Sequence, residues 1–502
     1  MSERVSLFNP IYYVNGKPHL GHAYTTVATD AVARYWRSRG KDVYFQVGTD
    51  EHGAKNAEKA EEAGQTPQEF VDEMSATFRL AWDRLSITND TFWRTSSKEH
   101  KDRARAIFQQ LYDGGFLYED EYTGLYCTGC EKFITEKELD EEGNCPDHKK
   151  KPEELSEKNW FFKLSDFLPR VQALIESDEL LVRPAHMKSE VLGLFKQGMD
   201  DFSVSRQRVT WGVPLPFAED QVSYVWVEAL FNYITGLGYG SNNDEAFTKY
   251  WPGVNVVGKD IIKFHAVYWP ALLLALGIDP PRQVFAHGFF TVDGQKMSKT
   301  IGNVVDPNEL VDRYGSDGAR YLILSQFPFG QDGDVKAGQF DEQYNAALAN
   351  DLGNLVHRVT SMAEKYLEGS VRADALVGDA ILLPLVKELD AKIEDAFTAF
   401  RPDLALESVF ALVERANALI EEREPWKLAK DEANRQALEA LFADLLGGLQ
   451  ALAVFSYPFF PEASAKIADR IGLGLSEQGE TSASAVFTVR TEEPLFPRIE
   501  SE

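Results

Sequence analysis

Two strand-like runs with a helical run between them constrain this chain more than any other feature. Residues 5–14, VSLFNPIYYV, form a short apolar run that ends at the turn signal NGKP. A helical pattern follows from about Ala23 to Arg39 and closes at Gly40, a residue suited to a helix C-cap. The next apolar run, DVYFQVGTDEHG, leaves Asp50, Glu51 and His52 at its carboxyl end. Strand, helix and strand in this order make a parallel pair. Units of this kind build a doubly wound sheet whose ligands bind at the carboxyl ends of the strands. The fold class is α/β.

The pattern is then interrupted. Residues 115–160 carry the cysteines, many charges and short hairpin-like pieces. The α/β pattern resumes at VNVVGKD (254–260), a helix over about 261–276, and QVFAHGFFTV (283–292). After about residue 335 strand signals vanish and long amphipathic helical runs take over. The expected organisation is a Rossmann-like sheet domain in two halves, 1–114 and 226–335, split by an insertion at 115–225. An all-α helix bundle follows at 336–470 and a tail at 471–502, with LSEQGETSAS as a short polar linker.

A chain of 502 residues with 44 % hydrophobic content can bury the cores of several domains. Its net charge of −27 argues against nonspecific nucleic-acid binding, which depends on neutralising phosphates, although a basic stripe stays compatible with it. MSERVSLFNPIYY shows no signal peptide, and apolar stretches such as WPALLLALG stop short of the ~20 residues a membrane span needs. All three cysteines lie between Cys127 and Cys145, which is no disulfide framework and reads as metal binding in a reducing compartment. A cytoplasmic protein without membrane association is expected.

PHLGHAYTT places His19 and His22 around Gly21 at a helix entrance. Glycine lets a phosphate approach the backbone, and the free N–H groups of a helix N-terminus attract anions. Two imidazoles there can donate to phosphate oxygens as charge develops. Two solvated or capping histidines explain the same residues taken alone. DGQKMSKTIGN places Lys296 and Lys299 three apart in a glycine-flanked loop after a strand, suited to clamping a leaving pyrophosphate. An ordinary solvated basic loop is the plainer reading of two lysines.

Cys127 and Cys130, then Cys145 and His148, form a Cys3His set of two pairs, each spaced so that a tight turn presents both ligands to tetrahedral zinc. A redox CxxC is the rival, but it has no use for Cys145 and His148. Four protein ligands leave no open position, so one structural Zn2+ is expected.

HLGH and KMSKT resemble the HIGH and KMSKS signatures of class I aminoacyl-tRNA synthetases. The chain as a whole resembles the methionyl-tRNA synthetase family, through NPIYYVNGKPHLGHAYT, GTDEHG, YVWVEAL, GKDIIKFHAVYWPA, KMSKTIGNVVDP, LGNLVHR and EPWKLAK. The resemblance implies an ATP-dependent ligase that activates L-methionine to methionyl-adenylate and passes it to tRNA(Met). It makes His19, His22, Lys296 and Lys299 catalytic. It implies a methionine pocket of Ile11, Tyr13, Asp50, Trp226, Ala229, Tyr233, Ile261, Phe264 and His265, with Asp50 taking the ammonium. ATP, with Mg2+, would meet His19, Gly21, His22, Gly258, Asp260, the backbone near Phe290, Lys296 and Lys299.

Asn354, Arg358 and Trp426 would read the anticodon, since unpaired bases are recognised by stacking and edge hydrogen bonds. A helix-surface pair and a buried tryptophan are the bland alternative. Glu228 stands where the family usually has aspartate, and Phe202 where some members have tryptophan. The chain stops soon after the helical domain, without the appended module some relatives use to dimerise, so a monomer is expected. Three rival readings share some of these residues: another class I synthetase, a nucleotidylyltransferase of the HxGH kind, and a tRNA-binding paralogue without catalysis. The insertion has no room for a large editing domain, the HxGH enzymes need neither knuckle nor helical domain, and every signature is intact.

Overall fold

Pro10 shapes the middle of the sheet. The computed structural model describes residues 4–127, 132–134, 138–146, 149–297, 303–375, 380–482 and 484–500. Proline has no N–H to donate, so the first strand cannot run on unbroken. Arg4–Phe8 and Tyr12–Tyr13 pair in parallel with Asp42–Asp50 as two pieces along one edge, where Asn9 N–H donates to Gln46 C=O and Val14 N–H to Asp50 C=O. Phe8 faces Gln46 and Tyr12 faces Thr49, four positions on one strand against three on the other. The chain therefore bulges at Pro10 and Ile11.

Among the described residues the main sheet has seven strands, all parallel. Across it run Thr91–Arg94, Asp42–Asp50, the two pieces of the first strand, Val254–Gly258, Gln283–His287 and Leu181–Arg183. Chain order reverses between Arg4–Phe8 and Val254–Gly258, which opens a crevice beyond the carboxyl ends of these strands. Leu181–Arg183 comes from the span expected as an insertion and supplies an edge strand instead. Three residues are too short a run to show as a strand in sequence. The rest of that span includes an antiparallel sheet of Lys132–Ile134, Leu117–Cys127, Glu153–Phe162 and Phe202–Ser203.

The helix expected over 261–276 is three pieces: a 3-10 turn at Lys259–Ile261, a π-helical turn at Phe264–Tyr268, and an α-helix at Trp269–Ala275. A π-turn inside a helix often marks a functional site. Beyond residue 335 the long elements are helices: Asn354–Leu367, Leu382–Thr398, Pro402–Arg423, Arg435–Ser456 and Pro461–Arg470. Strands do not vanish there, however. Ser370–Arg372 pairs antiparallel with Val486–Thr488, and the tail buries Phe487, Val489, Leu495 and Phe496. Asn345 and the backbone of Ile499 exchange two hydrogen bonds, 2.8 and 2.9 Å.

The helical stretch Glu432–Ser456 contains an 18-residue window of mean hydropathy 1.6, long and apolar enough to cross a membrane. The bundle accounts for it: Leu441, Phe442, Leu445, Leu446, Leu449 and Leu452 are buried in its core.

Candidate active site

The helix Leu20–Ser38 begins three residues before the expected Ala23 because His19 itself caps it. With an extended backbone, His19 accepts the Gly21 N–H at its Nδ1 (3.1 Å), while its own N–H donates to His22 Nδ1 (3.3 Å). This is a reciprocal capping box built from two histidines. Both Nδ1 atoms accept, so each neutral ring carries its proton on Nε2. The rings stack at 3.8 Å. The plainer reading, two capping histidines, describes this geometry.

Gly21 has a definite reason. A Cβ there would lie 2.9 Å from His19 Cε1 and 3.6 Å from Met297 Cε. Glycine thus lets the His19 ring fold back and Met297 settle over the helix entrance. Leu20 N–H also donates to Val305 C=O (2.9 Å), just past the lysine loop. The two signature segments, distant in sequence, meet at the carboxyl edge of the sheet. Lys296 lies in the short strand Gln295–Lys296, paired with Thr291, and Lys299 lies outside the described residues. Tyr12, missed in the sequence reading, packs its ring 4.6 Å from His22 and donates its hydroxyl to His22 C=O.

A second group gathers beside these. Trp226 lies 4.8 Å from Phe264 and 4.9 Å from Phe202, ring to ring. His265 Nδ1–H donates to Ile261 C=O (2.9 Å), which leaves Nε2 to accept the Tyr233 hydroxyl (2.7 Å). Burial holds the Tyr233 phenol above its ordinary value, and Asp50 is near enough to add to that rise. Asp50 pairs with Tyr13 in the sheet, and Ile11 covers the backbone at Gly48, where a Cβ would lie 2.9 Å from its Cγ2. Ala229 is buried on the helix Val225–Leu230 with Trp226. Within this group Trp226 meets Phe264 and Tyr233 meets His265.

At the end of the neighbouring strand, a Cβ on Gly258 would lie 2.6 Å from Asp260 Oδ1 and 3.8 Å from His287 Cε1. The glycine thus lets the Asp260 carboxylate turn back over the strand end. His287, not foreseen, shares a 2.6 Å hydrogen bond with Thr25 of the first helix and donates from Nδ1 to Gly288 C=O (2.9 Å). Phe290 starts a strand paired with Gly333–Val335, its ring 5.6 Å from that of Tyr24.

Burial pushes both His265 and His287 down to about 4, against 6.5 for an exposed ring. Between those values the unfolded chain binds more protons than the folded one, so stability falls as pH drops from about 6.5 towards 4. At pH 5.5 each ring is expected to cost about 1 kcal/mol relative to neutrality. Urea unfolding at pH 7.5 and 5.5 checks this, and a midpoint that does not move between them contradicts it.

Cys127 and Cys145 are buried in one small apolar cluster with Ile134, whereas Cys130 and His148 lie outside the described residues. Asn354 and Arg358 line a cavity of about 720 Å³ together with Asp351, Glu414 and Asn417. Arg358 is paired with Glu421 at 2.5 Å. Trp426 does not line that cavity; it sits partly buried on the single-turn helix Pro425–Leu428 just beyond.

Residues 6–155 and 148–360 match the model of the family described as tRNA synthetases class I (M). The methionine–tRNA ligase of Clostridium acetobutylicum is 42 % identical over 510 residues, covering 100 % of this chain and 79 % of its own. The chain belongs to the methionyl-tRNA synthetase family. A second such ligase, from Clostridium perfringens, is 45 % identical over 462 residues, 91 % of this chain and 72 % of its own. Among solved structures, Mycobacterium tuberculosis methionyl-tRNA synthetase in complex with methionyl-adenylate superposes with a TM-score of 0.93. It is 35 % identical and covers 99 % of this chain and 100 % of its own.

Proposed function

We infer that this chain is a methionine–tRNA ligase. The methionine carboxylate attacks the α-phosphate of ATP, breaking the bond to pyrophosphate and giving methionyl-adenylate. A hydroxyl of the terminal tRNA ribose then takes the methionyl group and releases AMP. The observation that supports the reading is the approach of the Met297–Val305 segment to the His19–Gly21–His22 cap, with Met297 Cε 3.6 Å from where a Gly21 Cβ would stand and Leu20 N–H donating to Val305 C=O. His19 and His22 donate from Nε2 to the phosphates, and Lys296 and Lys299 draw charge from the departing pyrophosphate. Asp50 holds the ammonium, and Trp226, Phe264 and Tyr233 surround the thioether, a group that favours aromatic contacts. Gly258, Asp260 and the backbone at Phe290 take the nucleoside. Mg2+ would accompany ATP and supply charge neutralisation at its phosphates. Pyrophosphate exchange across all twenty amino acids tests the assignment: methionine alone should support it, and exchange driven by another amino acid overturns it.

The segment around Cys127 forms a structural zinc knuckle in this reading. Two buried thiols in one cluster suit such a donor set, with Cys130 and His148 as the remaining ligands. One zinc per chain is expected in freshly purified protein, and chelation should depress tRNA charging more than pyrophosphate exchange. Metal-free protein whose three thiols titrate freely removes the knuckle. The protein acts as a cytoplasmic monomer.

The helical domain reads the anticodon through Asn354, Arg358 and Trp426. Removing the indole in Trp426→Ala should cost roughly 1–3 kcal/mol of base stacking, about tenfold to a hundredfold in charging of tRNA bearing CAU. Pyrophosphate exchange should stay near wild type. Pairing the enzyme variant with an altered anticodon gives the control. Losses that simply add identify Trp426 as packing and not as a base contact.

A further inference from the structure

The loop that follows Asp42–Asp50 sends three consecutive acid–base residues to three different partners. Asp50 belongs to the pocket just described. Glu51 is fully buried and accepts a forked pair from Arg94 (2.7 and 2.9 Å) and the Thr49 hydroxyl (2.6 Å). His52, 1 % exposed, places Nδ1 2.8 Å from Glu228 Oε1. Glu228 is itself fully buried, and its other oxygen lies 2.7 Å from His100 Nε2.

The protons on this cluster can be assigned. His100 Nδ1 accepts from the Trp93 indole N–H (3.1 Å) and lies 2.9 Å from the Thr235 hydroxyl, so its proton is on Nε2 and points at Glu228. Burial alone would raise the Glu228 carboxyl, but His52 and His100 hold it below its ordinary value. An ionised Glu228 accepts from both rings, which puts a proton on His52 Nδ1. The Trp211 indole N–H donates to Glu51 C=O (2.7 Å), and its ring meets His52 edge to face at 5.2 Å. The loop is thus clamped from both sides.

Glu228 sits on the helix Val225–Leu230, next to Ala229 and two residues from Trp226. One carboxylate therefore joins the loop carrying Asp50 to the helix carrying two walls of the side-chain pocket, and both to His100 on the helix Lys98–Asp113. We propose that Glu228, His52 and His100 are positioning residues that set the distance from Asp50 to the Trp226–Ala229 wall. That distance selects amino acids by the span from ammonium to side-chain end. The proposal rests on the methionine-activating reading above. None of the three touches the substrate in it.

The test is pyrophosphate exchange with His52→Ala, His52→Asn and His52→Gln. Asparagine can keep an amide nitrogen where Nδ1 stands, and glutamine moves it one bond outward. His52→Ala and His52→Gln are expected to raise the methionine KM by about tenfold or more while the ATP KM stays within about twofold, since displacement of a positioning group is felt where it positions. His52→Asn should return the methionine KM to within about threefold of wild type. Discrimination against ethionine, one methylene longer, should fall in the first two variants only.

Should His52→Ala fail to fold, the asparagine and glutamine pair carries the comparison. Equal methionine KM values for that pair, or methionine and ATP KM rising together, overturn the proposal. So does unchanged ethionine discrimination. Wild-type protein without methionine-dependent exchange defeats the functional reading instead, so the two failures are distinct.

Discussion

His22→Ala is expected to slow methionyl-adenylate formation by about 10²–10³, the usual loss for one donor to a developing oxyanion, with methionine binding little changed. The same substitution also removes half of the capping box, because His22 Nδ1 accepts the His19 N–H. Loss of a cap costs about 1 kcal/mol of stability and would blur the result. His22→Asn separates the two effects. Its amide oxygen can stand near the Nδ1 position and keep the cap, but nothing replaces the Nε2 donor. Both variants should therefore be slow, and only the alanine variant should also melt early. Pyrophosphate exchange at the wild-type rate in His22→Asn would take the Nε2 proton out of the chemistry.

Asp30→Asn is expected to destabilise the protein by about 3–5 kcal/mol, the cost of leaving buried charge uncompensated. Asp30 is fully buried and accepts from Arg34 Nε (2.8 Å), Arg320 (2.7 Å) and both the N–H and the hydroxyl of Thr88 (2.7 and 2.6 Å). Arg320 is fully buried too and donates to the carbonyls of Leu85, Pro458 and Phe459. Neutralising the carboxylate leaves two guanidinium groups facing each other with little water. The hub joins the first helix, the helix Pro307–Leu324 beyond the lysine loop, and the end of Arg435–Ser456. Urea unfolding measures the loss, and a change below about 1 kcal/mol would mean that the guanidiniums find other acceptors.

Local geometry was legible in the sequence wherever it depends on spacing. His19 and His22 are three apart, so their mutual geometry is local, and a helix entrance could be inferred from PHLGH alone. The parallel sheet was legible for the same reason, since strand, helix and strand alternate within fifty residues. What escaped the sequence depends on contacts between distant residues. Thr25 meets His287 across 262 positions, and His52 meets Glu228 across 176. Glu228 was noticed only as an unusual residue at its position, because nothing local shows that two imidazoles share its carboxylate. Leu181–Arg183 and Val486–Thr488 have three residues each, too few for any period-two pattern. Asp444 interrupts the apolar run that ends at Ser456, and only the fold shows its carboxylate accepting from the N–H groups of Ile381 and Leu382.

The order of strands in the main sheet has a consequence for synthesis. Leu7 pairs with Val254, 247 positions later, so the inner edge of the first strand has no partner until that residue has left the ribosome. At roughly 5–20 residues per second, the wait is roughly 12–50 s. During it, the nascent chain presents Val5, Leu7 and Phe8 on an open strand edge, the kind of surface that recruits other strands. Aggregation of this protein during expression should therefore respond to chaperone supply and elongation rate, and hardly at all to the stability of the finished fold.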